Sequence, residues 1–283
     1  NNTGLGVDVF AALTEGDNNV AVGKSALNAN TSGAGNTAIG KDALLVNTTG
    51  ASNTAVGFKA LDANTTAGNN TAVGKNALSG NTTAENNTAV GLDSLKVNTT
   101  GAKNTAVGAL ASDANTTGSN NTAFGYNSLT ANTTANNNTA FGYESAKAIT
   151  TGTANVAVGK SALEASTTAD NNTAVGFSAL VATTTGSYNT ALGYQSGDSI
   201  TDGISNTAVG YEAQGTSNGN YNTAIGDRAL FATNGGNENT VVGSRAHYGT
   251  ANSATRNTVV GVSSMEAVTT GSYNCTLGMR ALY

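Results

Sequence analysis

Asn70-Thr71-Ala72-Val73-Gly74-Lys75-Asn76-Ala77-Leu78-Ser79-Gly80-Asn81-Thr82-Thr83-Ala84-Glu85-Asn86 is one turn of a repeat, and the chain is built of little else. The anchor Asn recurs at 2, 19, 36, 53, 70, 87, 104, 121, 138, 155, 172, 189 and 206, always 17 residues apart. It continues at 222, 239, 257 and 274, with intervals of 16, 17, 18 and 17. A register that survives a gained or lost residue places the slack in a loop. No linker interrupts the pattern. The chain therefore reads as one repeat domain over 1–283, with a regular shaft over 1–205 and irregular coils over 206–283.

The seventeen copies can be compared with one another. The anchor Asn and the Gly four residues on occur in all of them. The residue before that Gly is always Val, Ile, Leu or Phe. After the Asn comes Thr in fourteen copies, with Val20, Val156 and Cys275 in the rest, and then Ala in thirteen. Three residues past the Gly stands Ala or Ser in every copy but the first, which has Val9, and Leu predominates one further on. The pair directly after the Gly varies freely, as in Lys24-Ser25, Phe58-Lys59 and Asp227-Arg228.

Thr-Ala-Val is a short extended run whose alternate side chains point to opposite faces. Thr71 and Val73 share one face, and Ala72 takes the other. A Gly in every copy marks a backbone position that rejects a Cβ, through φ > 0 or a close approach. An Asn in every copy marks a side chain that bonds turn backbone and stacks on its counterpart in the next coil. Gly-, Asn- and Thr-rich units oppose helix. The expected fold class is all-β, a parallel β-solenoid or β-roll of seventeen coils. At about 4.8 Å per coil, its length is on the order of 80 Å.

One Val-type and one Leu-type residue per coil make a thin core. Ala repeated on the second strand face suggests burial at close range. That points to self-association of three or more rods, with Ala72, Ala89 and Ala106 on the trimer face. A single solenoid with an Ala-lined interior is the alternative.

The stretch from Asn69 to Ala77 resembles the head repeat of YadA-type trimeric autotransporter adhesins, Asn-Ser-Val-Ala-Ile-Gly-x-x-Ser. The first Asn, the Ala, the branched apolar residue, the Gly and the small residue three later coincide. Ser94, Ser128, Ser145, Ser196 and Ser264 supply the family's Ser. Asn70 stands where the family has Ser, and the unit is longer near Asn-Thr-Thr. The resemblance covers nearly the whole chain. It implies a left-handed parallel β-roll, a homotrimer joined through inner strands, and an adhesive role. Asn-Thr-Ala-x-Gly repeats are also similar to segments of bacteriophage tail fibres.

Composition narrows the partners. The net charge is −5 and the 12 basic residues are scattered, so no nucleic-acid partner is expected. One Cys, Cys275, excludes an internal disulfide and a Cys-rich zinc site. No run approaches the roughly 18 apolar residues of a membrane span. The chain starts without Met and inside the repeat, as expected of a segment of a longer chain. The only His, His247, has no recurring Ser, Cys or carboxylate companion and is expected on the surface or in a loop. Carboxylates do not recur at fixed positions, against a calcium β-roll. The reading is no enzyme, no metal and no cofactor. Asn30, Asn47, Asn64, Asn81, Asn98, Asn115 and Asn132 match the N-glycosylation pattern, although turn chemistry accounts for them equally.

The expected function is a structural and adhesive segment of an extracellular, cell-surface or virion fibre that contacts host-surface glycan or protein. Two places are suited to contact. One is an aromatic file directly after the Gly: Phe58, Tyr126, Tyr143, Phe177, Tyr194 and Tyr211. The other is Arg245, His247 and Tyr248 in the irregular coils. A rival reading is an ice-binding β-solenoid using the Thr ladder that runs from Thr14 through Thr82 to Thr201 and breaks at Asn218, Asn234 and Ala251.

Overall fold

The computed structural model describes residues 1–232, 235–249, 253–266 and 271–282. Asn234 and Ala251 lie outside them. Every strand is three residues long, and no helix occurs among the described residues. One compact unit, Asn1–Asn138, carries β1 (Thr3–Leu5), β2 (Val20–Val22), β3 (Thr37–Ile39), β4 (Thr54–Val56), β5 (Thr71–Val73), β6 (Thr88–Val90), β7 (Thr105–Val107) and β8 (Thr122–Phe124). The second, Thr139–Tyr283, carries β9 (Thr139–Phe141), β10 (Val156–Val158), β11 (Thr173–Val175), β12 (Thr190–Leu192), β13 (Thr207–Val209), β14 (Thr223–Ile225), β15 (Thr240–Val242), β16 (Thr258–Val260) and β17 (Cys275–Leu277).

Within each unit successive strands pair in parallel with like residues aligned. Thr54, Thr71 and Thr88 form one row, and Ala55, Ala72 and Ala89 the next. The row survives the coils of altered length, where Thr207 meets Thr223 and Thr240 meets Thr258. The fold is a parallel β-solenoid.

Local chemistry explains the coil. Gly74 has φ 137°, and a Cβ there would collide with the Gly91 carbonyl, so both reasons for glycine hold at once. Two tandem turns follow. The Ala77 N–H donates to the Gly74 carbonyl and the Ser79 N–H to the Asn76 carbonyl, each at 3.3 Å. The third residues of these turns, Asn76 and Leu78, have φ 54° and 52°, as type II turns require. The tandem turn leaves both Ala77 and Leu78 buried.

The interior of a coil is Asn70, Ala72, Ala77, Leu78, Asn81 and Ala84, none more than 4% exposed. This overturns the trimer-face assignment. Ala72, Ala89 and Ala106 are 0% exposed within the single chain, so no surface remains there for a second one. The inner strand face takes Ala72 beside Leu78, and it takes the buried Val241 and Val259 in the coils where His247 and Met265 replace that Leu. Asn supplies what bulk apolar residues do not. Asn70 Oδ1 accepts from the Asn87 N–H, and its Nδ2 donates to the Ala84 carbonyl, both at 2.9 Å. Asn81 Nδ2 donates to Asn64 Oδ1 and to the Ala84 carbonyl, both at 3.0 Å. Buried amides bonded in this way offset their desolvation and fix the spacing of coils. The Asn30-to-Asn132 amides are inside, so the glycosylation pattern is core and turn chemistry.

Candidate functional site

With Ala facing in, Thr and the branched apolar residue face out. Val73 is 36% exposed, Phe124 43%, Phe141 51% and Leu192 50%. Each unit thus carries two parallel outward files, one mostly Thr and one always apolar. Neither position holds a charge in any of the seventeen coils. A solvated strand face usually shows polar and charged variety, so this uniformity is the informative feature. The sequence carried the signal, a position always Val, Ile, Leu or Phe, but alternation alone does not say which face is inside.

The other Thr ladder is structural. Thr31 Oγ1 donates to the Thr48 carbonyl at 3.0 Å, Thr82 Oγ1 to the Thr99 carbonyl at 3.2 Å, and Thr167 Oγ1 to the Thr184 carbonyl at 3.2 Å. Its hydroxyl protons are spent on the neighbouring coil.

The aromatic file is exposed, as its sequence position predicted. In the first unit Phe58 lies under Lys41 and Lys59, at 5.5 and 5.9 Å from the ring centre, and Tyr126 is 45% exposed. In the second unit Lys160 sits 5.6 Å from the Tyr143 ring and 5.7 Å from Phe177. Phe177, Tyr194 and Tyr211 then stack at 5.1 and 5.3 Å with planes within 9°. Arg228 covers the far side of Tyr211 at 5.2 Å. Both faces of Tyr194 are therefore occupied by neighbouring rings. Ring edges and hydroxyls, rather than flat faces, meet solvent here.

The irregular coils bring together only part of their candidate cluster. Arg245 is exposed and lies 5.7 Å from the Tyr248 ring, which stacks on Phe231 at 5.3 Å. His247 is not at the surface. It is 1% exposed, because it occupies the inward position held by Leu230 one coil before and Met265 one coil after. Neither ring nitrogen has a hydrogen-bond partner among the described residues, and burial pushes its pKa down to about 4. Nearby on the outside, Arg228 Nε donates to Glu212 at 2.7 Å and holds that carboxyl below its ordinary range. Asp198 is pushed up to about 6, first by burial and then by the Glu212 charge.

Among the described residues no three His, Cys, Asp or Glu gather where they could hold a metal ion. No described helix is long and apolar enough to cross a membrane. No family model, curated protein or solved structure matches the chain.

Proposed function

We propose that the chain is a non-catalytic segment of an extracellular or virion fibre whose copies associate along the outward Thr and apolar files. One observation carries this reading: an outward position, half-buried or exposed, that is apolar in all seventeen coils and never charged. Eight or nine rungs about 4.8 Å apart and about 10 Å wide give each unit roughly 400 Å² of mixed Thr and apolar surface, the size of the largest patch on a typical monomer, which is often functional. A face with the same rung repeated fits a partner of the same period, and a second copy is the nearest such partner. The resemblance to trimeric adhesin heads suggests three copies. Contact with a host glycan or protein then falls to the files left outside, the aromatic file and the Arg245–Tyr248 pair.

Sedimentation of wild type against a Val73→Lys, Val90→Lys, Val107→Lys variant tests the association. The expected result is an oligomer for the wild type and a folded monomer for the variant. A wild type that sediments as a monomer at all concentrations removes the proposal.

The same face favours a second reading. Thr hydroxyls and apolar side chains in two parallel outward rows also suit adsorption to ice, which needs the face bare. Thermal hysteresis by a monomer, abolished by Thr71→Tyr, Thr88→Tyr and Thr105→Tyr together, would establish that reading in place of the first.

A further inference from the structure

We propose that Tyr194 and Tyr211 form an oxidative cross-linking site, in which a dityrosine bond joins two consecutive coils of the solenoid. The two phenol rings are stacked with centroids 5.3 Å apart and planes 8° from parallel. They are 44% and 42% exposed, so a small oxidant reaches both. Their backbones are held in register, the Glu212 N–H donating to the Tyr194 carbonyl at 2.9 Å and the Arg228 N–H to the Tyr211 carbonyl at 2.8 Å. The outer neighbours do not compete. Phe177 covers the far face of Tyr194 and has no hydroxyl to oxidise, and Arg228 covers the far face of Tyr211. A radical on either phenol therefore faces the other.

The chemistry balances with a hydroperoxide as oxidant. Each phenol gives up one electron and one proton. The two phenoxyl radicals couple through their ortho carbons, one carbon–carbon bond forms, and the rings regain aromaticity by moving the ortho protons to oxygen. Hydrogen peroxide takes up the two electrons and two protons and leaves as two waters. The Glu212 carboxylate beside the Tyr211 hydroxyl, which raises that phenol's pKa, is placed to accept its proton as the electron departs.

The position has a structural logic. These two coils lack the inward Leu of their neighbours and carry Gly197 and Gln214 in its place. Gln214 is fully buried, and neither its Oε1 nor its Nε2 has a hydrogen-bond partner among the described residues; Ser217 Oγ in the same coil is in the same state. The interior there leaves these polar groups buried without partners, and the stacked phenols lie on the outside of the same two coils.

The test is to treat the intact protein with hydrogen peroxide and a haem peroxidase at high dilution, cleave before aspartates, and map the peptides. The expected product joins residues 170–197 to 202–226, two hydrogens lighter than their sum, with fragmentation placing the link on Tyr194 and Tyr211. It should form at a yield independent of protein concentration, raise the melting temperature, and vanish in Tyr211→Phe while persisting in Tyr221→Phe. A link through Tyr188 or Tyr221, a species that survives Tyr211→Phe, or oxidation of other tyrosines with no such joined peptide overturns the proposal.

Discussion

At the scale of single residues, stability rests on a few positions that tolerate no substitute. Gly74→Ala puts a Cβ against the Gly91 carbonyl at φ 137°, and should cost about 2–3 kcal/mol in denaturant unfolding. Asn70→Leu leaves the Asn87 N–H buried without a partner, at about 1–3 kcal/mol, while the Ala84 carbonyl keeps its bond from Asn81 Nδ2. His247 adds a pH dependence. Its folded pKa of about 4 lies below the ordinary 6.5, so between those values the unfolded chain binds more protons. Its share of stability is complete above about pH 6.5 and falls by about 3 kcal/mol as the pH drops to about 4. Asp198 works the other way. Its folded pKa of about 6 exceeds 3.8, so its share declines as the pH rises from 3.8 to 6. Comparison of wild type with His247→Leu separates them. The variant should be more stable and should lose the acid-side decline, and an unchanged pH profile would place His247 in water.

The coil is the element, and its parts serve unequal purposes. The strand spaces the coils, the Gly and tandem turns make the corner, and Asn closes the interior. The pair after the Gly is free to vary, because Lys75 and Asn76 both lie outside the core. Coils with the same inward set should be interchangeable. Deleting residues 70–103 removes two coils and sets Asn53 below Asn104 in the same register. The shortened protein should keep a single cooperative transition and its circular dichroism per residue. Loss of folding would show that coils 70–103 are not equivalent to their neighbours. Exchanging residues 206–256 for three regular coils should likewise fold, but should lose any contact made by Arg245 and Tyr248.

For the molecule as a whole, cohesion comes from contacts one coil apart. Amides, hydroxyls and in-register backbone supply them, and the described charges pair only at the surface, as between Arg256 and Glu238 at 2.9 Å. Such exposed pairs contribute at most about 1 kcal/mol each. Raised salt should therefore leave the melting temperature nearly unchanged. Chelators should leave it unchanged too, and a large downward shift would reveal an ion held by backbone carbonyls.

The repeat, its register through the 16- and 18-residue coils, the parallel pairing and the need for Gly and Asn were all legible in the sequence. Each depends on one residue's own conformational or hydrogen-bonding limits, repeated until no other reading remains. So was the exposure of the aromatic file, because a position that accepts Lys75, Tyr194 and Asp227 alike must meet water. The facing of the strand was not legible. Thr-Ala-Val alternates whichever side is inside, and the choice is made by closure of the coil, which buries the middle residue, Ala72 here and Val241 or Val259 later, and turns Val73 out. His247 was misread for a related reason. A lone imidazole looks like a surface group until the tandem turn that buries Leu78 in one coil buries His247 in another. Orientation across a closed coil belongs to the tertiary structure, because it is set by the distance between walls that lie many residues apart in the chain.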